Sequence, residues 1–151
     1  MDNKSKITFR KATKDDTDFA LAVHHKAFRD VIVRQFGPWE DEVQDKFFFN
    51  DWSNTGFEII YFEGKPCGYM RIEYLPGGIK AHELVLSPDF HNLGIGSYVL
   101  KQLQVEATRR KLPVNLNVLH ENRAIELYKR LGFKEIGQND MHKFMEWSLP
   151  N

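Results

Sequence analysis

HELVLSPDFHNLGIGS, residues 82–97, takes the chain from an apolar strand through a proline-marked turn into a Gly94-x-Gly96 segment that opens a helix. The first amides of a helix lack intrahelical acceptors and lie at the positive end of the macrodipole, so such a segment suits an anion. Glycine there lets a ligand approach the main chain closely. Two familiar phosphate cradles are excluded by what is missing. No Lys-Ser/Thr follows Gly96, as a Walker loop requires, and Val99 stands where a dinucleotide fold places its third glycine. The plainer alternative is a helix N-terminus that meets only water, and the rest of the chain decides between them.

Outward from this segment the pattern changes character. Upstream, the stretches 57–62, 67–74 and 79–86 read as strands, separated by Glu63-Gly64-Lys65-Pro66 and Pro76-Gly77-Gly78, which are hairpin connections. That half is an antiparallel meander. Downstream, a helix over 95–110 places Val99, Leu100, Leu103 and Ala107 on one face, and Val114, Leu116 and Val118 alternate on a following strand. A strand, helix, strand unit of this kind pairs in parallel with a right-handed crossover. Asn122 caps a third helix bearing Ala124, Leu127, Tyr128 and Leu131, and Gly132 ends it in a left-handed conformation. Strands over 133–137 and 143–149 close the chain. At its start, Ile7 and Phe9 alternate with Thr8 and Arg10 as a half-buried strand, and residues 13–16 cap a helix with Phe19, Ala22, Val23 and Ala27 on one side. A break at Gly37-Pro38 precedes a second helix over about 40–49.

At 151 residues and 42% hydrophobic, without repeats or linkers, the chain is expected to form one domain over 1–151 with a substantial core. Lys+Arg equals Asp+Glu at 21 each, so no basic field is available to hold nucleic acid or an anionic membrane. Apolar runs are short and broken by charge, and MDNKSK begins no signal peptide, so a cytoplasmic protein is expected. Cys67 has no disulfide partner in the chain and reads as a buried structural thiol. The six histidines show no metal spacing; His24 and His25 are adjacent and diverge on a helix, so no metal is expected.

These motifs together resemble the GNAT superfamily of acyl-CoA-dependent N-acetyltransferases, over essentially the whole chain. The family's Gln/Arg-x-x-Gly-x-Gly/Ala hallmark reads here as His91-Asn92-Leu93-Gly94-Ile95-Gly96, and its later Asn, Ala, Tyr, Gly-Phe run as Asn122, Ala124, Tyr128 and Leu131-Gly132-Phe133. HHKAFRDVIVRQFGPW, VLHENRAIELYKRLGF and HKFMEW are similar to a bacterial subgroup whose members mostly lack assigned substrates. The resemblance implies an α/β (α+β) fold: a mixed central sheet of six to seven strands, the meander followed by the parallel β-α-β unit, with helices on both faces. It departs at two cradle positions, where His91 replaces Gln or Arg and Asn92 replaces glycine. Main-chain amides bind the pyrophosphate, so both changes are tolerable where the backbone keeps its angle, and Asn accepts left-handed angles better than most residues.

What the resemblance implies for the site is acetyl-CoA as co-substrate. Pantetheine pairs as an added strand with Leu84, Val85 and Leu86, and the diphosphate lies on the cradle from His91, Asn92 and Leu93 through Gly94, Ile95, Gly96 and Ser97, whose hydroxyl is an extra donor. Asn122 belongs to the same cofactor set, and Lys101 and Lys129 are candidates for the terminal phosphate. The Leu86 amide is available to a developing oxyanion. Tyr128 is the expected general acid for the leaving thiolate, against the plainer reading of a packed core tyrosine. Glu83 is the candidate base; His82 is adjacent in the strand and faces the other way, so only one of them can serve, and proton loss through water stays open. Trp39, His25 and Phe28 are the candidate acceptor-binding residues. Glu40, Asp41 and Glu42 read as carboxylates complementing a helix N-terminus.

The expected activity is therefore transfer of acetyl to a primary amine of a small molecule or peptide, with no nucleic-acid or membrane partner. A non-catalytic module holding CoA or acyl-CoA as a regulatory ligand is the alternative, motivated by His91 and Asn92. Relatives in the family often pair, and Phe47, Phe48 and Phe49 offer an aromatic surface for a homodimer.

Overall fold

The structure is a computed structural model and describes residues 6–52 and 56–149. MDNKSK falls almost wholly outside the described residues. The elements follow in the order β1 (Ile7–Lys11), α1 (Thr17–Phe36), α2 (Asp41–Asp51), β2 (Phe57–Phe62), β3 (Lys65–Leu75), β4 (Gly78–Leu86), α3 (Ile95–Arg110), β5 (Val114–Leu119), α4 (Ala124–Arg130), β6 (Lys134–Gln138) and β7 (His142–Trp147). The seven strands form one sheet in the order β1-β2-β3-β4-β5-β7-β6. β1, β2 and β3 pair antiparallel, β4 and β5 pair in parallel, and β7 pairs antiparallel with both β5 and β6. A meander followed by a parallel β-α-β unit is thus the observed topology, and the mixed sheet matches the expected fold class.

By packing, the chain divides into two compact units, each taking part of β3 and β4. One holds the described residues up to Arg71 together with Glu83–Ile95, and the other holds Ile72–His82 and the described residues from Gly96 onward.

In the first unit, Ala12, Ala20, Val23, Phe48, Phe57, Ile59, Tyr69 and Val85 form the buried core. Its entry into α1 is pinned by charge. Arg10 grips both oxygens of Asp16 at 2.9 and 2.8 Å and the Tyr61 hydroxyl at 2.9 Å. Thr13 and Asp16 meanwhile exchange the two bonds of a capping box. α1 ends at Gly37, whose φ of 110° only glycine adopts readily. Three expectations are corrected here. Phe9 is 38% exposed, because the burial along β1 stops at Ile7 and a sheet-edge strand offers little cover. Ala22 is exposed, while Phe19, Val23 and Ala27 pack as expected and Ala20, one turn before Val23, takes the fully buried position beside them. Phe48 is 4% exposed, stacked on Trp52 at 5.3 Å, so only Phe47 and Phe49 remain of the aromatic surface expected over 47–49.

In the second unit, the predicted face of α3 is the buried one: Val99, Leu100, Leu103 and Ala107 are all 6% exposed or less. Val114, Leu116 and Val118 alternate into the interior of β5 as period two requires. Gly132 holds φ 93° after α4, and Gln104 on α3 donates to the Leu131 carbonyl at 2.7 Å, which ties that helix end down. Among the described residues no helix is long and apolar enough to cross a membrane.

The burial of α3 carries a quantitative expectation. Leu100→Ala should lower unfolding free energy by about 2–5 kcal/mol in chemical denaturation, while Val105→Ala on the opposite face should change it by less than about 0.5 kcal/mol. Leu100 is fully buried and Val105 is 64% exposed.

Candidate functional site

The first unit carries the strand edge and the cradle. β4 ends at Leu86, a short 3-10 turn at Pro88–Phe90 follows, and α3 begins at Ile95. Between them Asn92 has φ 64° and Gly94 has φ 81°, so the left-handed angle survives the replacement of glycine by asparagine. His91, exposed at the first cradle position, donates from Nε2 to the Leu86 carbonyl at 3.1 Å. The Ser87 amide donates to the Cys67 carbonyl on β3 at 2.8 Å, which anchors the end of β4. Leu84 and Leu86 are half-buried and Val85 is 5% exposed, and all three lie past Ala81, the last β4 residue whose pairing with β5 is seen. Leu93 is 42% exposed, and Ile95, at 1%, roots the first turn of α3 in the interior.

Glu83 projects from β4 into the first unit near Tyr69, Asp51 and Arg71. Loss of hydration pushes its carboxyl up to about 7, with repulsion from Asp51 adding and attraction to Arg71 opposing. Tyr69, 3% exposed, is held protonated well above its usual range, mainly by burial and then by the Glu83 and Asp51 charges. His82 goes the other way: its Nε2 meets a Glu73 carboxylate oxygen at 2.7 Å. The two neighbours therefore diverge as alternation requires, and His82 is engaged elsewhere.

The three residues expected at the acceptor end come together around His24. His25 donates to Asp45 at 2.5 Å and lies 3.7 Å from Asp41, and its ring meets Trp39 edge-on at 5.3 Å. His24 sits 4.8 Å from the Phe28 ring and 6.3 Å from Trp39, and bonds Gln44 at 3.3 Å. Burial lowers the His24 pKa, against the partial support of that Gln44 bond. The Trp39 indole donates to Asp41 at 2.7 Å; Asp41 and Glu42 stand in the first turn of α2, while Glu40 at its N-cap makes no side-chain cap bond. Cys67 is fully buried, its thiol donates to the Ile60 carbonyl at 3.4 Å, and burial pushes it up to about 11.

The second unit carries Gly96, Ser97, Asn122 and Tyr128. Gly96 and Ser97 are half-buried in the first turn of α3. Asn122 accepts the Ala124 amide at 2.8 Å, one position ahead of where a simple cap would stand, since Arg123 occupies the N-cap. Tyr128 is 8% exposed on α4 with its ring 5.9 Å from Phe133, and its carbonyl accepts the Phe133 amide at 3.0 Å. Among the described residues no group of three His, Cys, Asp or Glu side chains is placed to hold a metal.

Sequence reasoning missed Tyr69, Asp51, Arg71 and Gly68. The first three matter through their charge or burial beside Glu83, and their proximity comes from strand and helix packing rather than from spacing in the chain. Gly68 stands in a strand interior, where an isolated glycine signals close backbone approach.

The chain matches the acetyltransferase (GNAT) domain family over residues 53–135. It is 33% identical over 143 residues to an uncharacterised N-acetyltransferase of Methanocaldococcus jannaschii, covering 85% of this chain and 61% of that protein's length. Its fold is similar to that of the PaiA N-acetyltransferase of Thermoplasma acidophilum in complex with coenzyme A, with a TM-score of 0.77 at 16% identity over 95% of this chain and 99% of that one. It is also similar to the ribosomal-protein-S18-alanine N-acetyltransferase of Escherichia coli, with a TM-score of 0.63 at 20% identity over 96% of each chain. With both hallmark runs in place on a sheet of this order, the chain belongs to the GNAT family of acetyltransferases.

Proposed function

We propose that the protein is an acetyl-CoA-dependent N-acetyltransferase acting on a primary amine of a small molecule or peptide by direct attack. The observation that carries this reading is the turn before α3, where Asn92 and Gly94 hold left-handed angles and lead into helix amides without intrahelical acceptors. That backbone suits a diphosphate, and the family to which the chain belongs supports the choice of acetyl-CoA.

The bound co-substrate supplies an acetyl group activated as a thioester. Residues 93–97 would hold its diphosphate through main-chain amides and the Ser97 hydroxyl, and 84–86 would pair with its amide-bearing arm. Glu83 accepts a proton from the incoming ammonium so that the nitrogen lone pair is free to attack; a carboxyl that titrates at about 7 is suited to that exchange near neutrality. The Leu86 amide is assigned to the oxyanion; as the C–S bond breaks the Tyr128 hydroxyl gives its proton to the departing sulfur, and the proton lost by the acylated nitrogen returns to Tyr128 through water. Asn122 Oδ1 accepts the Ala124 amide, which orients its side chain at the start of α4, and Asn122 is assigned with the cradle to the co-substrate. Trp39, His25 and Phe28 are assigned to the acceptor, whose apolar parts the aromatic rings would cover.

Three outcomes follow. Tyr128→Phe should lower kcat by about 10²- to 10⁴-fold with CoA affinity unchanged by calorimetry, and unchanged turnover would remove Tyr128 from the acid's role. Tight CoA binding with no amine in a broad panel acetylated above the hydrolysis blank would instead make the protein a CoA-holding module. In wild type, kcat/KM should rise with pH and level above about 7, while Glu83→Gln should lose both most of its rate and that limb of the profile.

Glu83 also links pH to stability. Its carboxyl titrates at about 7 in the folded chain against an ordinary 4.5, so the folded state binds the extra proton between those values. Stability from this group is full below about 4.5 and is lost as pH rises through about 7. Glu83→Gln should therefore match wild type in denaturant at pH 4 and exceed it at pH 8 by on the order of 1–3 kcal/mol.

A further inference from the structure

A carbonyl in a regular β-ladder lies in the plane of the sheet, whereas a Cβ stands out of that plane. At Gly68 on β3 the two directions collide: a Cβ built there would overlap the Val85 carbonyl oxygen and lie 2.9 Å from Leu86 Cδ2 and 3.0 Å from Leu86 Cα. The Val85 carbonyl therefore occupies the place where a side chain at position 68 would stand. Just past the end of β4 the Ser87 amide bonds the Cys67 carbonyl on β3 at 2.8 Å. From the turn side, His91 Nε2 holds the Leu86 carbonyl at 3.1 Å. The peptide before Leu86 thus lies where only a glycine on β3 leaves room for it, and the carbonyl after it is held by an imidazole from the cradle.

The geometry points to Gly68 and His91 as a two-sided clamp that sets the Val85 and Leu86 backbone for acetyl-CoA, each a positioning residue rather than a catalytic one. This rests on the reading of 84–86 as the edge that receives the co-substrate. The neighbour that a methyl group at position 68 would strike is backbone, which cannot swing aside as a side chain can. Replacement by alanine must displace the strand itself. Gly78, at the other end of β4, is the contrast: a Cβ there would come nearest, at 3.0 Å, to the Asn115 side-chain amide, which can move. The role of His91 is equally specific. It needs only a side-chain donor able to reach a carbonyl, so glutamine is a conservative replacement and alanine is not.

The test compares wild type with Gly68→Ala, His91→Ala, His91→Gln and Gly78→Ala. The readouts are acetyl-CoA KM and kcat, CoA affinity by calorimetry, and amide hydrogen exchange at residues 84–87. Gly68→Ala and His91→Ala should raise acetyl-CoA KM by about 10-fold or more with a smaller effect on kcat, and should speed exchange over 84–87. His91→Gln should restore both, and Gly78→Ala should alter melting temperature without changing KM. A folded Gly68→Ala with wild-type KM and exchange would overturn the clamp; should that variant fail to fold, wild-type KM and exchange in His91→Ala would do so. If wild type itself neither binds CoA nor consumes acetyl-CoA, the acetyltransferase reading fails by itself, and exchange over 84–87 in His91→Ala still decides whether the clamp exists.

Discussion

Between the end of β4 at Leu86 and the start of α3 at Ile95 the chain must leave a sheet and enter a helix, and everything proposed for this protein depends on how it does so. A sharp reversal of this kind requires residues with positive φ, which L side chains adopt at a cost of roughly 1–2 kcal/mol unless they are Gly or Asn. Asn92 and Gly94 occupy those positions. Because the helix then starts on Ile95, 1% exposed, its first amides are fixed in place by core packing and not by a cap side chain alone. His91 and Ser87 bond back toward β4 and β3, so the turn and the strand end are braced as one piece.

In the first unit some titratable groups are governed by burial, whereas Arg10 and Asp16 are governed by their ion pair. Glu83, Tyr69 and His24 are each shifted first by loss of hydration, and each toward its neutral form. Arg71 opposes this at Glu83, and its guanidinium also lies 6.0 Å from the Phe57 ring centroid. A carboxyl that titrates near neutrality can take the proton of an incoming ammonium and leave the amine uncharged. That is the protonation state an attacking amine must reach.

Much of this was legible in the chain because it is local. The period of 3.6 over 95–110, the period of two in Val114, Leu116 and Val118, the Gly37 and Gly132 stops, and the tolerance of Asn92 for a left-handed angle are all consequences of a few consecutive residues. What was misread depends on distant cover. Phe9 and Ile7 look equivalent in a strand until an edge leaves one of them open, and Phe48 looks like its exposed neighbours Phe47 and Phe49 until Trp52 and Tyr69 enclose it. The contact of Gly68 with the β4 backbone and the approach of Asp51 to Glu83 arise from register and helix packing, which no pattern within one segment encodes. The candidate residues were thus readable one by one, but the forces that tune Glu83 and shape the strand around Leu86 were not.

Thermal melting of the purified protein with acetyl-CoA, CoA, ATP or NAD at matched saturating concentration tests the diphosphate cradle most directly, since a ligand bound only by the native state raises the midpoint by mass action. Stabilisation of about 5–10 °C by acetyl-CoA and CoA, with little response to the other two, is the predicted result. No shift with either CoA species, or an equal shift with all four ligands, would contradict it.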